Sequence, residues 1–166
     1  MSLQPCRPPP ALSLINETGA HGPEIEALLD RAFGPGRFAK SSERVREIAD
    51  FAGDLSFVAV EAGAVVGVVR MWRVKAGDQP VVFLGPLAVE ASERRAGLGA
   101  MLVERACEAA RSAGEPAVVL VGDLPYFQRV GFEIAPEVGI PGPVDPKRVL
   151  YRSFDAGTPA GPIRSR

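Results

Sequence analysis

Apolar residues along the chain follow two rhythms, one of period two and one near 3.6, and the switches between them divide it into elements. Residues 11–18, ALSLINET, alternate apolar and polar and predict a half-exposed first strand. GPEIEALLDRAFG then sets Ile25, Leu28, Leu29, Ala32 and Phe33 on one helical face, started by Pro23 and stopped at Gly34-Pro35. SSERVREIADFAG repeats that period with Val45, Ile48, Ala49 and Phe51, so a second helix is expected to run to Gly53. Two β-branched runs, 55–60 and 65–74, flank the short polar segment Glu61-Ala62-Gly63-Ala64 and predict a hairpin.

A further strand is expected over 81–89, broken by Gly85-Pro86. Proline cannot donate to a ladder, so this pair implies a bulge or a gap in pairing. Residues 97–113 carry Leu98, Leu102, Ala106, Ala109 and Ala110 on one face and Glu104, Arg105, Glu108 and Arg111 on the other, an amphipathic helix. AVVLVGD, from 117, is apolar enough to be a strand buried on both faces. A short helix follows over LPYFQRV, with Asp123 as its cap and Pro125 in its first turn. Two last strands are expected within 132–134 and 148–154, separated by the Pro/Gly-rich segment 136–146. The resulting order, βααβββαβαββ, predicts an α/β or α+β sheet protein.

Composition changes this picture only by exclusion. A chain of 166 residues fits one domain, expected over 11–155 between flexible tails at 1–10 and 156–166. With 19 basic and 20 acidic residues the net charge is −1, which argues against nucleic acid as the main partner. Cys6 and Cys107 do not make a disulfide framework, and one histidine with two scattered cysteines does not make a structural zinc site, so no metal is expected. MSLQPCRPPP has no apolar run of the signal-peptide kind, and no window nears the roughly 18 apolar residues that span a bilayer. No membrane partner is expected, and the cytoplasm is the expected compartment.

The candidate chemistry lies where the strand at 81–89 gives way to the helix from 97. Gly97 and Gly99 sit at a helix start, where glycine lets a bulky anion approach the first free N–H groups. Arg94 and Arg95 add guanidinium groups at the rim. No Gly-Lys-Ser/Thr follows, so this is not a phosphate-binding P-loop, and the spacing is wrong for a dinucleotide fingerprint.

Three segments together resemble the GNAT superfamily of N-acetyltransferases. Arg94-Arg95-Ala96-Gly97-Leu98-Gly99 is similar to the family's Arg/Gln-x-x-Gly-x-Gly/Ala loop, LGPLAVEAS (84–92) to its fourth strand, and YFQRVGFEI (126–134) to its short helix, Gly-Phe and returning strand. The resemblance implies a mixed, mostly antiparallel sheet of about six to seven strands flanked by about four helices. It implies an acetyl-CoA-dependent N-acetyltransferase, moving an acetyl group to a primary amine by direct attack in a ternary complex. The amides of Arg95, Ala96, Gly97, Leu98, Gly99 and Ala100 would cradle the pyrophosphate, with Arg94 at the rim. The backbone of Leu87, Ala88 and Val89 would pair with the pantetheine arm, and an amide near Leu87 or Val89 would stabilise the oxyanion. Tyr126, Phe127 and Arg129 are further CoA contacts on this pattern.

The chain departs from the family at one position. The usual general acid is a tyrosine where Phe127 stands, and Tyr126 lies one residue, about 100° of helix, away. Tyr126 remains a candidate acid. A thiol of pKa near 8.5 leaves largely unassisted, and acid help is typically ~10²–10⁴-fold, so its loss slows such an enzyme without abolishing it. No general base declares itself among Glu61, Glu90, Asp123 and His21. Cys107, along a helix with no histidine to activate it, is not a nucleophile candidate. Phe33, Phe38, Arg70 and Trp72 lie on segments that line the acceptor side in relatives, and an Arg70 facing the cleft would favour an acidic acceptor. A catalytically weak or inactive CoA-binding module is the alternative. A small-molecule or peptide amine is the expected acceptor, and an exposed final strand makes a homodimer an option.

Overall fold

The computed structural model describes residues 12–34, 41–92, 97–155 and 157–166. Strand β1 (Ser13–Asn16) leads into α1 (Gly22–Phe33) and α2 (Ser41–Ile48), then β2 (Asp50–Phe51), β3 (Phe57–Glu61), β4 (Ala64–Ala76) and β5 (Gln79–Val89). Helix α3 (Leu98–Ser112), β6 (Ala117–Val121) and α4 (Leu124–Gln128) follow. The chain closes with β7 (Glu133–Ile134), β8 (Val138–Gly139), β9 (Val149–Ser153) and β10 (Gly161–Arg164). The spatial order β1-β3-β4-β5-β6-β9-β7 is antiparallel throughout except between β5 and β6. This is the mixed, mostly antiparallel sheet that the family resemblance implies.

The two faces of the sheet bury different helices. On one, α3 sets Leu102, Val103, Ala106 and Ala110 against Phe57, Met71, Val82 and Leu120. On the other, α1 packs Ile25, Leu28 and Leu29 on Val58, Val68 and Ala88, and Val45 of α2 meets Val74 and Phe83. Burying such a side chain contributes roughly 1.5–3 kcal/mol, so these two layers hold the sheet between them. The β3–β4 hairpin turns through Ala62 (φ 51°) and Gly63 (φ 80°), a two-residue loop whose positive φ values match the strand twist.

Three expectations are corrected. Helix α2 stops at Ile48 rather than near Gly53, because Asp50 and Phe51 pair with Arg73 and Trp72 of β4 as a short strand. Phe51 gains the edge of the Trp72 ring there, with centroids 5.1 Å apart. The C-terminal segment is not a loose tail: β10 pairs antiparallel with the end of β4 and parallel with β8. Arg166 then donates to the Val74 and Val81 carbonyls, each at 2.9 Å, and to Glu115 at 2.6 Å. Finally, β9 is not an exposed edge, because β7 covers its outer side and leaves no long free strand for a partner there.

Candidate functional site

Strands β5 and β6 touch along only two register pairs, Val82–Val118 and Phe83–Val119, and then part. The cause lies in β5. Val69 of β4 faces Leu87 and Met71 faces Leu84, so Gly85 and Pro86 together oppose the single residue Arg70. This is the bulge that the Gly-Pro pair implies, with Gly85 at φ 148° and a cis peptide to Pro86. Trp72 holds the distortion in place, its indole Nε1 donating to the Gly85 carbonyl at 2.6 Å. A cavity of about 560 Å³ opens between the parted strands, bounded by Phe33, Leu87 and Phe127 among others.

The ladder on the other side of β5 decides which amides face that opening. Glu90 N–H donates to Val66 O at 2.9 Å. Residues bonded across an antiparallel pair alternate, so with Val68 opposite Ala88, the Ala88 N–H also turns to β4. The N–H groups of Leu87 and Val89 therefore point to the opposite edge, where β6 has already left. A segment of β5 with two donors at alternate residues unclaimed among the described residues is a docking edge for an extended chain.

Beyond that edge lies the start of α3. Gly97 caps the helix in the left-handed region at φ 71°, with open space where a side chain would stand. Leu98 and Gly99 are buried and Ala100 packs against the core, so only their backbone faces the N-terminal end. Gly99 is further constrained, because a Cβ there would lie 2.3 Å from the Tyr126 hydroxyl. A smaller cavity of about 210 Å³ joins these parts, lined by Phe33, Leu87, Val89, Gly99 and Tyr126. Burial raises the Tyr126 phenol above its usual pKa, so it stays protonated. Arg94, Arg95, Ala96 and Phe38 lie outside the described residues.

Tyr126 and Phe127 do different jobs, as a 100° step on a helix requires. Phe127 turns toward the larger cavity, edge-on to Phe132 at 5.8 Å, and a Cβ on Gly122 would sit 2.4 Å from its ring. Tyr126 turns toward Gly99 instead and does not fill the place of Phe127. Arg129 is exposed just past α4 and borders neither cavity.

The acceptor candidates are redistributed. Phe33 borders both cavities. Arg70 is not a cation facing the cleft, because Glu17 takes its Nε and a terminal nitrogen at 3.0 and 3.2 Å and Glu26 lies 3.6 Å away. Trp72 is spent on the bulge. The charged groups that do border the larger cavity are Arg46, Arg148, Asp123 and Asp145. Asp123 occupies the cap position of α4, yet its carboxylate makes no capping bond. Sequence reasoning assigns Asp123 to capping and passes over both arginines. Their approach depends on register between distant strands, for which no local motif exists.

Cys107 is fully buried and its thiol is pushed up to about 12 by desolvation, which leaves no thiolate to act. Among the described residues no helix is long and apolar enough to cross a membrane.

Residues 23–132, which include the bulged strand, its parallel neighbour and the glycine-started helix, match the acetyltransferase (GNAT) family. The chain belongs to that family and is an N-acetyltransferase by class, an acyltransferase. Over 116 residues it is 35% identical to the uncharacterized N-acetyltransferase YhbS of Escherichia coli (strain K12), covering 68% of each chain. The crystal structure of E. coli YhbS in complex with CoA superposes with a TM-score of 0.79 at 26% identity, covering 96% of this chain and 92% of that one. A GNAT acetyltransferase from Brucella melitensis in complex with acetyl-CoA shares the fold, with a TM-score of 0.71, 24% identity, and coverage of 94% and 96%. Arabidopsis thaliana Naa50, solved with a bisubstrate analogue, shares it too, at a TM-score of 0.62, 17% identity, and coverage of 86% and 99%.

Proposed function

We propose that this protein transfers the acetyl group of acetyl-CoA to a primary amine by direct attack, with both substrates held together at the parted strands. The observation that carries the reading is the β5 edge, with the Leu87 and Val89 N–H groups turned into the opening between β5 and β6. The donor supplies a thioester and a long extended arm. Val89 and Leu87 would bond that arm as a neighbouring strand would, and the start of α3 would take its phosphates through the free amides and the positive end of the helix. Gly97 and Gly99 suit that contact, since each lacks a side chain at the approach. Arg94 and Arg95 belong to this loop in sequence. The relatives solved with CoA and acetyl-CoA support the same choice of donor.

The chain's part in the chemistry is then mostly positional. The acceptor attacks as the free amine after its ammonium gives a proton to solvent. The proton shed as the amide forms leaves the same way while the C–S bond breaks. Leu87 N–H would donate to the oxygen that gains charge as the amine attacks, a preorganised interaction of the kind that often dominates acyl transfer. The released thiolate has an ordinary pKa near 8.5 and leaves without a strong acid. Tyr126, whose hydroxyl lies at Gly99, is assigned to holding the donor arm rather than to protonating the leaving sulfur. A second reading, a CoA-binding module with weak catalysis, has one observation in its favour: the ring of Phe127 carries no hydroxyl into the larger cavity.

Thiol release from acetyl-CoA across a panel of primary amines tests the reading. Turnover with at least one amine is the expected result. Saturable acetyl-CoA binding without turnover for any amine would select the binding module. No acetyl-CoA binding at all would end both readings.

A further inference from the structure

The acceptor end of the larger cavity is built from side chains that no motif connects. Gly122, just past β6, donates its N–H to Arg148 O at 2.9 Å, and the Arg148 guanidinium returns a bond from Nε to Gly122 O at 3.4 Å. That exchange fixes the guanidinium one residue from Asp123 and leaves its two terminal nitrogens with no partner among the described residues. Asp123 is exposed and borders the same space, its carboxylate bonded to nothing among the described residues. Arg46 reaches in from α2, a terminal nitrogen 3.5 Å from where a Cβ on Gly85 would stand. Asp145 borders the space too, but one carboxylate oxygen accepts from Lys147 N–H at 3.0 Å and ends the loop before β9.

From this arrangement we infer that the acceptor is a small zwitterion, an amino acid or a close derivative, whose carboxylate is held by Arg148 beside Arg46 and whose ammonium is drawn to Asp123. The inference rests on the acetyltransferase reading and names the substrate class for it. A polyamine would bring a cation to the terminal nitrogens of Arg148, and a simple alkylamine would leave those nitrogens with no partner among the described residues. A dicarboxylate without an amine would face Asp123 and offer no nucleophile. Cavity volume agrees: about 560 Å³, shared with the end of the donor arm, leaves room for a small molecule rather than a folded protein surface. Leu29, Phe33 and Val144 are among the apolar residues of the wall, so an apolar amino-acid side chain fits better than a charged one.

The test uses three amines of one skeleton: phenylalanine, its carboxamide and phenethylamine, each at saturating acetyl-CoA. Thiol release gives kcat/KM, and calorimetry on the CoA complex gives affinity where turnover is slow. The amino acid is expected to exceed the other two by about 10- to 100-fold, the range for a hydrogen bond between charged groups. Arg148→Gln should bring the acid-to-amide ratio close to one, and Arg148→Lys should restore part of it. Acetyl-CoA affinity of each variant reports that it is folded. Equal use and equal binding of acid and amide by the unaltered protein would overturn the inference. So would an Arg148→Gln variant that keeps the ratio. Loss of acetyl-CoA binding in the unaltered protein is a different result, and it contradicts the acetyltransferase reading itself.

Discussion

The two ends of the cleft are made in different ways. The end proposed for the donor is backbone: the Leu87 and Val89 amides on a bulged strand, and the turn at Gly97 and Gly99. The end proposed for the acceptor is side chains: Arg46 from α2, Asp123 after β6, and Arg148 before β9. A backbone site needs local conformations that few residues permit, and so it writes glycine and proline into the sequence at fixed places. A side-chain site needs only that the fold bring distant positions together, and many residue types satisfy the fold there. One end therefore resists substitution, and the other is where acceptor choice can change.

That contrast sets the order of expected effects. Gly97→Asp is the largest. Aspartate adopts the left-handed conformation at modest strain and nothing crowds a Cβ there, so the fold should survive while a carboxylate enters the proposed phosphate site. Acetyl-CoA affinity should fall by at least about 100-fold by calorimetry, close to 3 kcal/mol, with thermal stability little changed. Affinity within threefold of the unaltered protein would mean that the helix start does not hold the donor.

Trp72→Phe comes next. It keeps the ring beside Phe51 but removes the donor to Gly85 O, leaving a carbonyl at the bulge without its partner. A loss of about 1–2 kcal/mol in denaturant unfolding is expected, together with weaker acetyl-CoA binding. Stability lost without any change in donor affinity would detach the bulge from the site.

Gly99 separates two reasons for a glycine. If Tyr126 alone forbids a side chain there, Gly99→Ala should cost donor affinity in the unaltered protein and little in a Tyr126→Ala background. Approach of phosphates predicts the same cost in both. We expect both to contribute, with a coupling of about 0.5–1 kcal/mol in a double-mutant cycle of acetyl-CoA affinities. Zero coupling would show that the Tyr126 hydroxyl swings aside freely.

The smallest effect is on pH. Burial raises the Tyr126 phenol above 10.0, so the folded state favours the protonated form. That contribution is fully present below the unfolded value near 10 and is lost as pH rises through the folded one. The chain has two tyrosines, Tyr126 and Tyr151, so spectroscopic titration of Tyr126→Phe against the unaltered protein isolates the phenol of Tyr126. It should ionise above pH 10; ionisation at or below 10 would place it in water, away from the donor cavity.

Legibility in the sequence follows the same division. Gly85-Pro86 announces the bulge, and Gly97-x-Gly99 announces the turn, because each needs a backbone that other residues resist. The period-two and period-3.6 runs likewise give the main strands and four helices. What sequence misses is decided at long range. Asp50–Phe51 reads as helix by period, yet pairing with Arg73 and Trp72 overrides it. Residues 161–164 have no strand signal, with Gly161 and Pro162 inside them, but the end of β4 offers a free edge and Arg166 fastens the segment. Arg70 looks like a cleft cation until the fold brings Glu17 to it, 53 positions away.

The central claim concerns the β5 edge, and amide NMR of the full chain titrated with acetyl-CoA tests it residue by residue. The Leu87 and Val89 N–H signals should shift saturably and gain protection from exchange, while that of Ala88, already bonded to β4, should move far less. Saturable binding with no response at Leu87 and Val89, or with an equal response at all three residues, would contradict the account.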